Sequence, residues 1–179
     1  MAGLVPVHSV DDIFSLYRGT PVELLLRYHN LQAPLDNYSH AEMLIGMCMD
    51  NRKSLRLPDN FAYILRTGGG NMRQLEFKIS YAVAVGGVKW IVLIGHDQCG
   101  MVNLAAKKDQ FVQGLIDRAG WKKEQAEEHF IRYAPVFEIG QEIDFTVSEA
   151  ERLRLIYPKI PVAPLFYGIA DKLLYLINE

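Results

Sequence analysis

The stretch Ile91-Val92-Leu93-Ile94-Gly95-His96-Asp97-Gln98-Cys99-Gly100 constrains this chain more than any other. Its apolar, β-branched run reads as a buried strand, and the run breaks at a glycine. Two soft-metal ligands, His96 and Cys99, follow at once. The only other cysteine, Cys48, closes a second apolar run, Met43-Leu44-Ile45-Gly46-Met47, and is followed by Asp50 and Arg52. Each cysteine therefore stands at the end of an expected strand. If those strands are neighbours in a parallel sheet, their carboxyl ends meet in the crevice where open α/β sheets bind ligands. Two thiolates and one imidazole make a three-ligand zinc site with a fourth position open, the arrangement of catalytic rather than structural zinc. The plainer alternative is two buried packing cysteines and a surface histidine. Three such residues gathered at two strand ends weigh against it.

A chain of 179 residues, half of them hydrophobic and 22% charged, fits one soluble domain with a sizeable core. A formal charge of −2 gives no electrostatic case for nucleic acid or an anionic membrane. No apolar run approaches the roughly 20 residues that span a bilayer. The start, Met1-Ala2-Gly3-Leu4-Val5-Pro6, has no basic region and no long apolar stretch, so no secretory signal is expected. Two cysteines cannot build a disulfide framework, and the metal site claims both. A reducing, cytoplasmic setting is the expectation.

Along the chain, residues 1–40 read as an N-terminal helical arm, with two short helices over 9–31. Ser9 with Asp11-Asp12 resembles a capped start, and Thr20-Pro21 places a capping residue before a proline. Strands are expected at 42–47, 61–66 and 89–95, with a helix over 72–85 capped by Asn71 and stopped by Gly86-Gly87. Gly68-Gly69-Gly70-Asn71-Met72-Arg73 lacks the last glycine of a dinucleotide fingerprint and reads as a tight turn rather than a phosphate cradle. Residues 101–134 are expected to be mostly helical, 135–144 irregular, and 148–157 helical. The apolar run 160–167 contains Pro161 and Pro164, which demotes it to an edge strand. Residues 173–177 read as a closing strand or a short helix.

Cys48-x-Asp50-x-Arg52, followed far downstream by His96-x-x-Cys99-Gly100, resembles the signature of the β-class carbonic anhydrases, most nearly the short, compact prokaryotic members. The resemblance extends over roughly residues 42 to 176. It departs from the family at Asn51, where a serine is common, and at Asp97, where a small hydroxyl residue is usual. It implies a single β-carbonic-anhydrase-like domain over residues 1–179, assembled as a homodimer or a multiple of it, with the N-terminal arm on a partner subunit. The expected fold is α/β, a mainly parallel sheet of about four or five strands flanked by helices.

The implied reaction is the reversible hydration of carbon dioxide to bicarbonate by zinc-bound hydroxide, with Cys48, His96 and Cys99 as zinc ligands. Asp50 would accept a hydrogen bond from the hydroxide, and the fork of Arg52 would hold and orient Asp50. Some members of the family let this aspartate leave its arginine and take the fourth position as pH falls. Two other readings stay open. One is hydrolysis of a related linear substrate, carbonyl sulfide or carbon disulfide, on the same fold. The other is a non-catalytic zinc-binding or assembly protein, in which Asp97 fills the open position.

Overall fold

The computed structural model describes residues 3–179. Strands β1 (Gly3–Pro6), β2 (Met43–Cys48), β3 (Ala62–Thr67), β4 (Trp90–His96), β5 (Val162–Tyr167) and β6 (Leu174–Asn178) form one sheet. Its order is β1-β6-β5-β4-β2-β3. The run β3-β2-β4-β5 is parallel, and β6 and β1 are antiparallel additions on one side. The expected α/β class and mainly parallel sheet hold, but the sheet has six strands rather than four or five. The additional strand is β1, only four residues long and too short to stand out from the chain's start.

The strands β2, β4 and β5 are near-continuous apolar runs because both faces of the sheet are covered. Alternate residues face opposite layers. Met43, Ile45, Met47, Val92 and Ile94 pack with Val22, Leu25 and Leu26 of helix α1 (Pro21–His29). Leu44, Ile91 and Leu93 pack on the other side with Ile79 of α2 (Glu76–Ala84) and with Ala150 and Leu153 of α5 (Glu142–Ile156). Helices α3 (Lys108–Ala119) and α4 (Lys123–Phe137) form a hairpin beside the carboxyl end of the sheet. Gly95 lets α5 approach β4 closely. A Cβ there would fall 2.2 Å from Thr146 Oγ1.

Val7, Ile13, Tyr17, Val22, Leu25 and Leu26 are all buried against the chain's own sheet. The two expected helices over 9–31 are two short 3-10 turns followed by α1, whose Thr20 accepts a hydrogen bond from the Val22 amide at 3.2 Å. The 148–157 helix starts earlier, at Glu142, and α4 runs two residues past Pro135. The expectation of an edge strand at 160–167 is corrected, since β5 lies between β4 and β6 with every residue buried. The Ile91 amide donates to Pro161 O at 3.0 Å, so the backbone of residue 161 faces β4. Backbone groups alternate along a strand, so Pro164 turns its nitrogen towards β6. The β6 ladder begins only at Leu165, so that side asks no hydrogen bond of Pro164.

Candidate metal centre

Cys48 ends β2 and His96 ends β4, and these strands are hydrogen-bonded parallel neighbours. Cys99 follows in the turn after β4. Its amide donates to Glu142 Oε1 at 3.2 Å, which ties the turn to the start of α5. The three ligand atoms of Cys48, His96 and Cys99 lie within 4.8 Å of one another, and all three residues are buried. The two sulfurs are 3.9 Å apart. A tetrahedral metal with sulfur bonds of about 2.3 Å sets its two thiolates roughly 3.8 Å apart, so this spacing fits one.

His96 gives a second sign of fit. Its Nδ1 lies 2.8 Å from the backbone oxygen of Asp97, a contact that requires Nδ1 to carry the proton. Its Nε2 is then a lone pair, buried and without a hydrogen-bond partner among the described residues. Imidazoles that ligate metals through one nitrogen typically anchor the other in this way. The contact between the two sulfurs pulls the Cys48 thiol below its ordinary value and pushes Cys99 up.

Asp50 and Arg52 are joined as their spacing suggests. Arg52 donates from Nε to Oδ1 at 3.0 Å and from Nη2 to Oδ2 at 2.7 Å, and its own amide reaches Oδ1 at 2.9 Å. The Arg52 side chain, followed by partial burial acting in the opposite sense, leaves Asp50 well below the usual carboxylate range. Arg52 also reaches across the crevice to Gln98, donating to its side-chain oxygen at 3.2 Å and its backbone oxygen at 3.0 Å. One guanidinium therefore links the turn after β2 to the turn after β4. Asp97 plays a different part from the one weighed in the sequence. Its carboxylate accepts the Ile169 amide at 2.7 Å, and it is not among the clustered ligand atoms.

The glycine turn forms the floor. Gly69 has φ +65°, and a Cβ there would fall 2.5 Å from Ile139 Cγ2. Asn71 caps the 3-10 turn Arg73–Leu75 that leads into α2, its Oδ1 accepting the Arg73 amide at 3.1 Å. It is buried, and its amide group donates to Val136 O at 2.8 Å, satisfying a carbonyl in the last turn of α4. An apolar cavity of about 380 Å³ opens beside this floor, lined by Met49, Gly68, Met101, Phe130, Tyr133 and Phe137.

Sequence reasoning passed over three contributors. Arg66 donates to the backbone oxygens of Cys48, Asp50 and Lys53 at 3.4, 3.3 and 3.1 Å, pinning the whole turn after β2. Its place just before the glycine turn was the available signal. Gln98 is a generic residue type with positive φ, and Lys53 is a lysine whose burial no local pattern announces.

A family model described as carbonic anhydrase matches residues 59–142, which carry His96 and Cys99 but not Cys48, Asp50 or Arg52. No curated protein matches the chain in sequence. Among solved structures, the chain is similar to a β-carbonic anhydrase isoform from Trichomonas vaginalis. That match has TM-score 0.66 and 18% identity, and covers 93% of this chain and 99% of the other. A carbonic anhydrase from Streptococcus mutans is similar at TM-score 0.61 and 18% identity, over 93% and 99% of the two chains. A carbon disulfide hydrolase in its apo form is similar at TM-score 0.56 and 18% identity, over 75% and 77%. The segment match is to carbonic anhydrase, and the fold is similar to that of β-class carbonic anhydrases along most of the chain.

Proposed function

We propose that this chain is a zinc enzyme that reversibly hydrates carbon dioxide to bicarbonate. Cys48, His96 and Cys99 would hold the metal, and two thiolates with an imidazole suit zinc far better than magnesium or calcium. When bound, zinc supplies an open, Lewis-acidic position at which water is activated near neutral pH. Asp50, an acceptor held ionised, would orient that water by accepting a hydrogen bond from it. Arg52 fixes the direction in which Asp50 points. The observation that carries the reading is the meeting of three ligand atoms at two strand ends with a gripped carboxylate in the adjoining turn. Metal content and stopped-flow carbon dioxide hydration on one sample test it. A zinc-loaded sample without hydration activity would overturn the reaction.

One observation favours the second reading, hydrolysis of carbon disulfide or carbonyl sulfide. The apolar cavity beside the site offers methionine and aromatic walls to a poorly hydrated linear molecule. The same sample given each of the three substrates separates the two.

A homodimer completes the proposal. Tyr63 and Ile64 on the edge strand β3, and Phe77, Tyr81 and Val85 on α2, are exposed together, and Tyr63, Phe77 and Tyr81 line one shallow apolar depression. Unpartnered apolar surface next to a strand edge is what a second copy would cover. Light scattering that finds a monomer at micromolar concentration would remove this element.

A further inference from the structure

Lys53 is the one buried lysine among the described residues, with 2% of its surface exposed. Its Nζ reaches no hydrogen-bond partner among the described residues. An ammonium group brings three donors, and burying it unpaired is costly unless something compensates. The turn that carries Cys48, Asp50 and Arg52 also carries Lys53, and Arg66 fixes it there through the Lys53 carbonyl at 3.1 Å. The groups that act on its charge are those of the candidate centre. Burial opposes the charge most, Cys48 and Asp50 attract it, and Arg66 opposes it.

We propose that Lys53 is a positioning residue that supplies the buried positive charge with which the Cys48–His96–Cys99 centre retains a small monovalent anion. The proposal rests on the metal-site reading above, with bicarbonate as the anion in the proposed reaction. A divalent metal with two thiolates and a neutral imidazole has a formal charge of zero. An anion added at the fourth position leaves one uncompensated negative charge in a buried place.

Arg52 and Arg66 also bring positive charge to this turn. The charge of Arg52 is spent on Asp50, and Arg66 is exposed, so solvent screens it. Lys53 alone acts through poorly polarisable surroundings, where a unit charge is felt most. Burial lowers its pKa to about 8, which leaves the ammonium form predominant at neutral pH.

Cobalt(II) as the bound metal gives a readout that does not depend on turnover. Thiolate-to-cobalt charge transfer reports that the metal is in the site, and the visible bands report azide binding at pH 7. Lys53→Met keeps the length of the side chain and removes the charge. It should weaken azide binding on the order of tenfold with the charge-transfer band unchanged. Lys53→Arg should stay close to wild type. Equal azide affinity in wild type and Lys53→Met overturns the proposal, as does a Lys53→Met chain that fails to fold or to take up cobalt, which makes the role structural. A wild type with no charge-transfer band overturns the metal reading and this inference with it. The expected azide result in a protein that does not hydrate carbon dioxide overturns the reaction alone and supports the role of Lys53.

Discussion

Arg52 closes on Asp50 with two prongs, Nε on one carboxylate oxygen at 3.0 Å and Nη2 on the other at 2.7 Å. On the proposed function, Arg52→Ala should lower hydration activity by roughly 10- to 100-fold with zinc retained, as loss of an orienting group does. Arg52→Lys should recover only part of it, because an ammonium cannot make the two-pronged contact. Because Arg52 depresses Asp50, its contribution to stability is present above the unfolded pKa of about 3.9 and is lost as pH falls through the lower folded value. Urea titrations of wild type and Asp50→Asn should therefore differ at neutral pH and converge in acid. Wild-type activity in Arg52→Ala at full zinc content would exclude the pair from the mechanism.

The ligand set makes a simpler demand. Cys48→Ser and Cys99→Ser, alone or together, should lose bound zinc, since a hydroxyl is a poor substitute for a thiolate. Elemental analysis of protein purified without chelator checks this, and full metal retention in the double variant would contradict it.

Lys53→Met should raise the stability of the metal-free protein at pH 7 by on the order of 1–3 kcal/mol, because it removes a buried charge with no partner. The sign follows from the lowered pKa of about 8. Between that value and the unfolded pKa of about 10.4, the unfolded chain holds more protons, so wild-type stability rises with pH there. The advantage of the variant should shrink over the same interval. A constant difference from pH 7 to beyond pH 10 would show that Lys53 titrates as an ordinary surface lysine.

Gly95→Ala should cost about 1–3 kcal/mol, since the new methyl meets Thr146 Oγ1 at 2.2 Å and Phe166 Cδ2 at 3.3 Å. Thermal melts of Gly95→Ala and of Gly95→Ala with Thr146→Ala test the cause, and the second substitution should return part of the loss. Equal melting temperatures for Gly95→Ala and wild type would show that α5 shifts without penalty.

The parts of this molecule legible in its sequence are those with a local pattern. The runs ending at Cys48 and His96 showed strands by their apolar, β-branched composition, and the placing of both cysteines at strand ends implied the crevice. Pro164 misled because proline's cost depends on which neighbour its nitrogen faces, and that depends on where β6 begins. Asn71 reads as a cap from its place before α2, and its Oδ1 does accept the Arg73 amide, but its amide group also serves a carbonyl of α4, 65 residues away, which no local pattern shows. Burial of Lys53 and the bridge from Arg52 to Gln98 arise from the docking of two separate turns. No window on the chain contains both.

The pairing of β2 with β4 also bears on how the chain folds. Cys48 and Cys99 are 51 positions apart, with β3 and α2 between them. Closing a loop of that length carries an entropic cost, and the contact that repays it is long-range. A metal bound there would tie the loop shut, much as a crosslink does, and would favour the native state over every chain in which those strands have not yet met. Metal uptake during refolding would then serve as a clock for sheet assembly, reporting the moment at which the middle strands come into register.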